Sequence, residues 1–265
     1  MKYCRMEVDG RPEWGLVEER AGALWITSRL SSPWETGSAE PLGEPLLLSQ
    51  ARLLAPVTPS KILCVGRNYR DHAKELGNEV PAEPLLFFKP PSSLLGDGGT
   101  VRMPRASERI DYEGELAVVI GRRVRNFSAD QDISTCIHGL TVANDVTARD
   151  LQKKDGQWTR AKGFDTFCPV GPVVDTSVTA EAMAAGLLVE TRLNGELRQH
   201  GSTADFIFSL PQLLAYITAA ITLEPGDLLL TGTPAGVGPV SAGDLVEVTV
   251  AGVGTLRNAF VAEEL

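Results

Sequence analysis

The run Leu116-Ala117-Val118-Val119-Ile120 constrains the fold more than any other stretch. It is apolar at every position, so a strand here has no polar face. Such a strand has to be covered on both sides, which places it inside a layered, sheet-containing molecule. Two carboxylates, Glu113 and Glu115, stand at its mouth in Asp111-Tyr112-Glu113-Gly114-Glu115. Alternate residues of a strand share a face, so the two point the same way, roughly 7 Å apart by strand rise. Close together at the end of a buried strand they repel each other and are costly to desolvate. A divalent cation resolves both problems, and an all-oxygen donor set suits Mg²⁺, Mn²⁺ or Ca²⁺ better than zinc. Taken alone, the E-x-E spacing favours the plainer reading, a solvated strand end with two exposed acids.

Around this strand the chain reads as many short strands and few helices. Arg5–Val8 and Glu13–Val17 flank Asp9-Gly10 as a hairpin, and Ala23–Thr27 is a third strand. Residues 31–46, rich in Ser, Pro, Gly and Glu, read as loop. Pro56 and Pro59 then mark a boundary, giving a small N-terminal β domain over 1–56 and a main domain over 57–265. Ile62–Gly66, Leu85–Phe88, Leu140–Ala143, Leu187–Leu193, Asp227–Thr231 and Leu245–Val250 are further strands. Helices are expected at Asp71–Leu76, stopped by Gly77-Asn78, at Thr179–Ala185, at Ser209–Ile221 and in the segment that carries Arg149 and Gln152. With no regular βαβ alternation, the pattern is that of a β-rich α+β fold.

Several polar groups could carry chemistry. Asp145 ends the strand Leu140–Ala143, where it is either a third carboxylate for a cation or, like Thr147, a helix N-cap. Arg149 and Gln152 are i, i+3 on the helix that follows and could fork onto a substrate carboxylate. Lys162 could offset the acids and meet a substrate oxyanion. His72 and Glu75 are also i, i+3, so the carboxylate can orient the imidazole as a general base. Thr231-Gly232-Thr233-Pro234 follows a strand, lacks the Lys-Ser/Thr ending of a P-loop, and offers the Thr233 hydroxyl and loop amides to an oxyanion.

Charge and composition exclude other classes. Lys+Arg number 25 against 34 Asp+Glu, a net charge of -9, which argues against nucleic acid or an anionic membrane as partner. No stretch approaches ~18 apolar residues, so no membrane span is expected. The N-terminus has no apolar h-region and the four cysteines form no C-x-x-C pair. A cytoplasmic protein with buried free thiols is therefore expected.

In order along the chain, Gly66-Arg67-Asn68-Tyr69…His72…Glu75, Phe88-Lys89-Pro90, Tyr112-Glu113-Gly114-Glu115-Leu116-Ala117, Asn144-Asp145-Val146-Thr147-Ala148-Arg149-Asp150-Leu151-Gln152, Lys162-Gly163-Phe164-Asp165 and Thr231-Gly232-Thr233-Pro234 resemble the fumarylacetoacetate hydrolase family. The resemblance covers about residues 61 to 262 and is closest to the small-substrate branch. The first 56 residues look like the small N-terminal β domain of some bacterial members. The resemblance implies a mixed β-roll, usually a homodimer, with Mg²⁺ (or Mn²⁺, or Ca²⁺) held by Glu113, Glu115 and Asp145. It implies Lys162 beside the metal, His72 and Glu75 as a lid dyad, and Arg67, Tyr69, Arg149, Gln152 and Thr233 as substrate contacts. The activity it implies first is C–C hydrolysis or decarboxylation of small 2-oxo acids of the acylpyruvate or oxaloacetate type, through a metal-stabilised enolate. The alternatives are isomerisation or tautomerisation of 2-hydroxy-diene dioates or oxaloacetate, and, from another class, a non-catalytic metal-binding dimer.

Overall fold

Short apolar runs cut by Gly, Pro and Asn turns give short strands, as the sequence leads one to expect. The computed structural model describes residues 1–34, 39–75, 77, 79–178 and 180–264. The N-terminal strands are β1 (Lys2–Val8), β2 (Arg11–Arg20), β3 (Ala23–Leu30), β4 (Ala39–Leu47) and β5 (Leu53–Leu54). Next come β6 (Ile62–Gly66), helix α1 (Arg70–Glu75), β7 (Leu85–Lys89), β8 (Leu94–Leu95) and β9 (Thr100–Met103). The centre of the chain forms β10 (Ile110–Tyr112), β11 (Gly114–Ile120), β12 (Ile137–Asn144), β13 (Thr147–Ala148), α2 (Arg149–Asp155) and α3 (Thr159–Gly163). β14 (Cys168–Asp175), α4 (Ala180–Ala185), β15 (Leu188–Leu193), β16 (Glu196–Ser202) and α5 (Leu210–Ala220) follow. The chain closes with β17 (Leu228–Leu230), β18 (Gly238–Pro239), β19 (Leu245–Val250) and β20 (Gly254–Ala262). Among the described residues no helix is long and apolar enough to cross a membrane.

The doubly apolar run becomes β11, buried at every residue, in the middle of the largest sheet. That sheet runs β4-β3-β2-β1-β14-β12-β11-β17-β6-β7. β11 pairs antiparallel with β12 from Gly114↔Asn144 onward, and with β17 at Ala117↔Leu230. β17 lies parallel to β6, so the sheet is mixed. A second sheet, β16-β15-β19-β20-β9, stacks on it. Leu116, Val118 and Ile120 face this second sheet and α5, against Val189, Val248, Leu213 and Ile217. Ala117 and Val119 face the other way, onto Tyr3, Ile62, Val170 and Leu228. Each Leu, Val or Ile of the run contributes about 1.5–3 kcal/mol on full burial, which is why the run tolerates no polar position.

The N-terminal strands continue the main sheet, since β1 bonds to β14 through Lys2↔Asp175 and Tyr3↔Val174. Residues 31–46 depart from the loop expectation: Ala39–Leu47 forms β4, paired with β3 at Ile26↔Leu46 and Ser28↔Pro41. β4 is the outermost strand, where a proline facing solvent removes no ladder bond. Residues 35–38 of that stretch lie outside the described residues, as do Leu76, Asn78 and Thr179, named above at the ends of two helices. The four cysteines are free and buried.

Candidate functional site

The antiparallel register of β11 and β12 assembles the acidic centre. The start of one strand meets the end of the other, so Glu113, just ahead of β11, lies beside Asn144 and Asp145. Asn144 Oδ1 accepts the Glu113 N–H at 2.9 Å, and the Glu113 carbonyl accepts the Asp145 N–H at 2.8 Å. Glu115 follows one step along β11. One carboxylate oxygen from each of Glu113, Glu115 and Asp145 lies within 4.8 Å of the other two, and all three residues are buried. Asp145 is thus a member of the acidic centre and caps no helix. The N-cap of α2 is Ala148, and Thr147 Oγ1 donates to the Asp145 carbonyl.

Cations surround these acids. Lys162, on α3, places Nζ 2.7 Å from Glu113 Oε2 and 2.6 Å from Asp145 Oδ2. Lys89, at the end of β7, places Nζ 2.6 Å from the other Asp145 oxygen. Arg149 donates to Glu113, to Asp111 Oδ2 at 2.9 Å and to Gln152 Oε1 at 2.6 Å. Its guanidinium, expected to fork onto a substrate, is committed to protein oxygens. Burial pushes the Glu113 carboxyl up, but Lys162 and Arg149 outweigh it and hold it well below the usual range. Glu115 goes the other way. Burial and the neighbouring Asp145 and Glu113 charges raise it well above the usual value, and it accepts a hydrogen bond from the Gly232 N–H at 2.7 Å. Lys162 is lowered by burial and raised more by Asp145 and Glu113, so it stays an ammonium.

The acids form the floor of a cavity of about 410 Å³. His72 and Glu75, on α1, line it, with His72 Nδ1 3.3 Å from Glu75 Oε2. Burial lowers the imidazole pKa, partly offset by the Glu113 charge and the Glu75 hydrogen bond, so His72 favours its neutral form. Arg67, Gln152, Lys162 and Thr233 also line the cavity. Arg67 holds a left-handed backbone, φ 57°, unusual for a residue with a Cβ. The adjoining Gly66 is needed for space, since a Cβ there would lie 2.8 Å from Leu85 and 2.9 Å from Trp158.

Tyr69 is the expected contact that the structure does not bring to this cavity. Its buried ring packs edge-on against Phe206 at 5.1 Å, and it lines a separate cavity beside Asp205 and Pro234. A larger cleft, about 640 Å³, lies between residues 51–59 and 94–99 and gathers no comparable cluster. Sequence reasoning missed Lys89 and Asp111. Both carried a signal: Lys89 shares a strand face with Phe87, and Asp111 has the same parity as Glu113 and Glu115.

The donor chemistry of the floor fits a hard divalent cation: three buried carboxylates converge, and Glu115 keeps oxygen capacity for a further partner.

Against known proteins, residues 61–261 match the family description Fumarylacetoacetate (FAA) hydrolase C-terminal. The chain belongs to the fumarylacetoacetate hydrolase family. Residues 1–56 match the description Rv2993c-like, N-terminal. Within the fumarylacetoacetate hydrolase family, the chain is 45% identical to Protein Rv2993c of Mycobacterium tuberculosis over 246 residues, 89% of this chain and 92% of that protein. It is 44% identical to oxaloacetate tautomerase YisK of Bacillus subtilis over 223 residues, 80% of this chain and 73% of that protein. The crystal structure of 2-hydroxyhepta-2,4-diene-1,7-dioate isomerase from Mycobacterium marinum superposes with a TM-score of 0.87 at 41% identity, covering 100% of each chain. The two proteins just described that are named for a reaction are a tautomerase and an isomerase, which favours the alternative activity over the C–C cleavage expected first.

Proposed function

We propose that this enzyme tautomerises or isomerises a small 2-oxo diacid, of the oxaloacetate or 2-hydroxy-diene dioate kind, moving one proton between carbon and oxygen. The observation that carries the reading is one cavity lined both by an imidazole held by a carboxylate and by three converging buried acids, two of them bridged by a lysine. Glu113, Glu115 and Asp145 would hold a divalent cation, Mg²⁺ or Mn²⁺. Such an ion supplies Lewis acidity, which favours negative charge on a nearby substrate oxygen.

The chain's own groups account for the proton. Glu75 fixes Nδ1 of His72, leaving Nε2 to take a proton from the carbon next to the 2-oxo group and to return it. The C–H bond breaks, its electron pair becomes the C=C of the enol form, the C=O π pair moves onto oxygen, and the proton held by His72 is delivered to that oxygen; the reverse sequence converts enol to keto. Lys162 gives two of its N–H bonds to Glu113 and Asp145, and the remaining one can meet the substrate oxyanion. Arg67 and Lys153 supply cationic lining for a second substrate carboxylate. Arg149 and Gln152 hold the wall, Arg149 by gripping Glu113 and Asp111.

The test is a time course with enol-form oxaloacetate and added Mg²⁺ or Mn²⁺, reading enol loss, CO₂ and pyruvate separately. Enol loss without matching CO₂ or pyruvate is the expected result. Stoichiometric CO₂ and pyruvate would return the assignment to decarboxylation.

A further inference from the structure

β16 lies outside the cavity, yet it carries a fully buried amide that meets the frame of the site. Gln199 Oε1 accepts the Gly114 N–H at 2.9 Å. Its Nε2 donates to Thr233 Oγ1 at 2.7 Å and to the Pro234 carbonyl at 2.8 Å. Thr233 Oγ1 donates in turn to the Gly114 carbonyl at 2.8 Å. This closed set of bonds fastens the residue between Glu113 and Glu115 to the loop after β17.

The same loop holds the base. The Gly236 N–H donates to Glu75 Oε1 at 3.0 Å and Oε2 at 3.2 Å, and Glu75 orients His72. Gly236 in turn rests on β16: a Cβ there would stand 2.0 Å from the Arg198 carbonyl oxygen and 3.2 Å from Gln199 Cα. Gly201, two residues beyond Gln199, packs on Pro234, with a notional Cβ 2.6 Å away. Gly114 is equally confined, since its Cβ would fall 2.1 Å from Thr191 Oγ1. The acidic floor and the His72–Glu75 pair come from segments about forty residues apart, and β16 is the support they share. An amide suits the joint because it offers a donor and an acceptor at once.

We infer that Gln199 is a positioning residue that sets the His72–Glu75 pair against the Glu113 and Glu115 carboxylates. The inference rests on His72 being the base, and it assigns Gln199 no contact with substrate.

Gln199→Met keeps the bulk and removes all three bonds. With enol-form oxaloacetate and Mg²⁺, kcat and KM are measured for wild type, Gln199→Met, Glu75→Gln and the double variant. Gln199→Met should lower kcat about tenfold with KM within about twofold, the pattern of a misplaced catalytic group. Because Gln199 acts through Glu75, the double variant should be no slower than Glu75→Gln alone. Full kcat in Gln199→Met, or losses that multiply in the double variant, overturns the inference and leaves the base assignment standing. Full kcat in Glu75→Gln overturns both. Gln199→Glu covers the case in which the methionine variant does not fold. It keeps the acceptor for Gly114 and turns an oxygen against the Pro234 carbonyl, so it should show the same kcat loss and the same coupling to Glu75. Wild-type kcat in Gln199→Glu also overturns the inference.

Discussion

Lys89→Met keeps an unbranched side chain out to Cε and deletes the ammonium. The Lys89 side chain is fully buried, with Nζ 2.6 Å from Asp145 Oδ1 and 3.1 Å from the Val146 carbonyl. Asp145 is faced by Lys89 and Lys162, and Glu113 by Lys162 and by an Arg149 it shares with Asp111, so the substitution removes one of the two ammonium groups on Asp145 and leaves its charge under-compensated. Deleting one partner of a buried pair costs about 3–5 kcal/mol. Lys162 still grips the second Asp145 oxygen at 2.6 Å, which puts the loss near the low end, about 3 kcal/mol. For a chain of this size 1 kcal/mol moves the melting midpoint by about 2–4 °C, so the variant should melt roughly 6–12 °C lower in a chelator. A cation bound by the acids would offset the deficit. At a hundred times its Kd it stabilises by about 2.7 kcal/mol, so Mg²⁺ should restore much of the midpoint. Thermal unfolding followed by circular dichroism, with chelator and with Mg²⁺, reads both quantities. A midpoint in chelator within about 2 °C of wild type would mean that the ion pair carries little, and the charge argument for the floor would fail.

His72→Ala should lower kcat by roughly 10²–10⁴ and leave Mg²⁺ affinity unchanged, as steady-state kinetics and calorimetry would show. Glu75→Ala should cost less, because the imidazole survives without its orienting partner. Burial lowers the His72 pKa, so its neutral form persists to lower pH than for an exposed histidine. The acid limb of the kcat/KM profile should therefore have its midpoint below 6.5. The same shift favours the folded state above the ordinary histidine value, a contribution lost as pH falls through the folded pKa. Glu113→Ala should abolish most Mg²⁺ binding in calorimetry and nearly all turnover; undiminished binding would place the cation elsewhere.

The centre of the fold was legible because Leu116–Ile120 of β11 has no polar residue to alternate with apolar ones, as a strand buried on both faces requires. Period-two spacing put Glu113 and Glu115 on one face, and the end of the Leu140–Ala143 run put Asp145 within reach. Pairings between distant segments were not legible. Nothing local in Arg149 says that its guanidinium meets Asp111, 38 positions away, or that Gln199 meets Gly114, 85 positions away. β4 was hidden by Pro41 and Pro45, which read as breakers until the strand is known to be an edge. Tyr69 was misplaced because a strand-to-helix turn does not fix which side of the turn a ring takes.

At β14 the N-terminal strands serve as a guard. β1 occupies one rim of that strand, beside Val173 and Val174, which are shielded from water. A chain begun at residue 57 would leave that rim bare, with unpaired N–H and C=O groups next to apolar side chains. Bare rims of this kind recruit one another, so the shortened protein should self-associate through β14. Sedimentation of the shortened chain would read this directly, and a monomer would mean that the first strands do not keep one copy's sheet from becoming another's template.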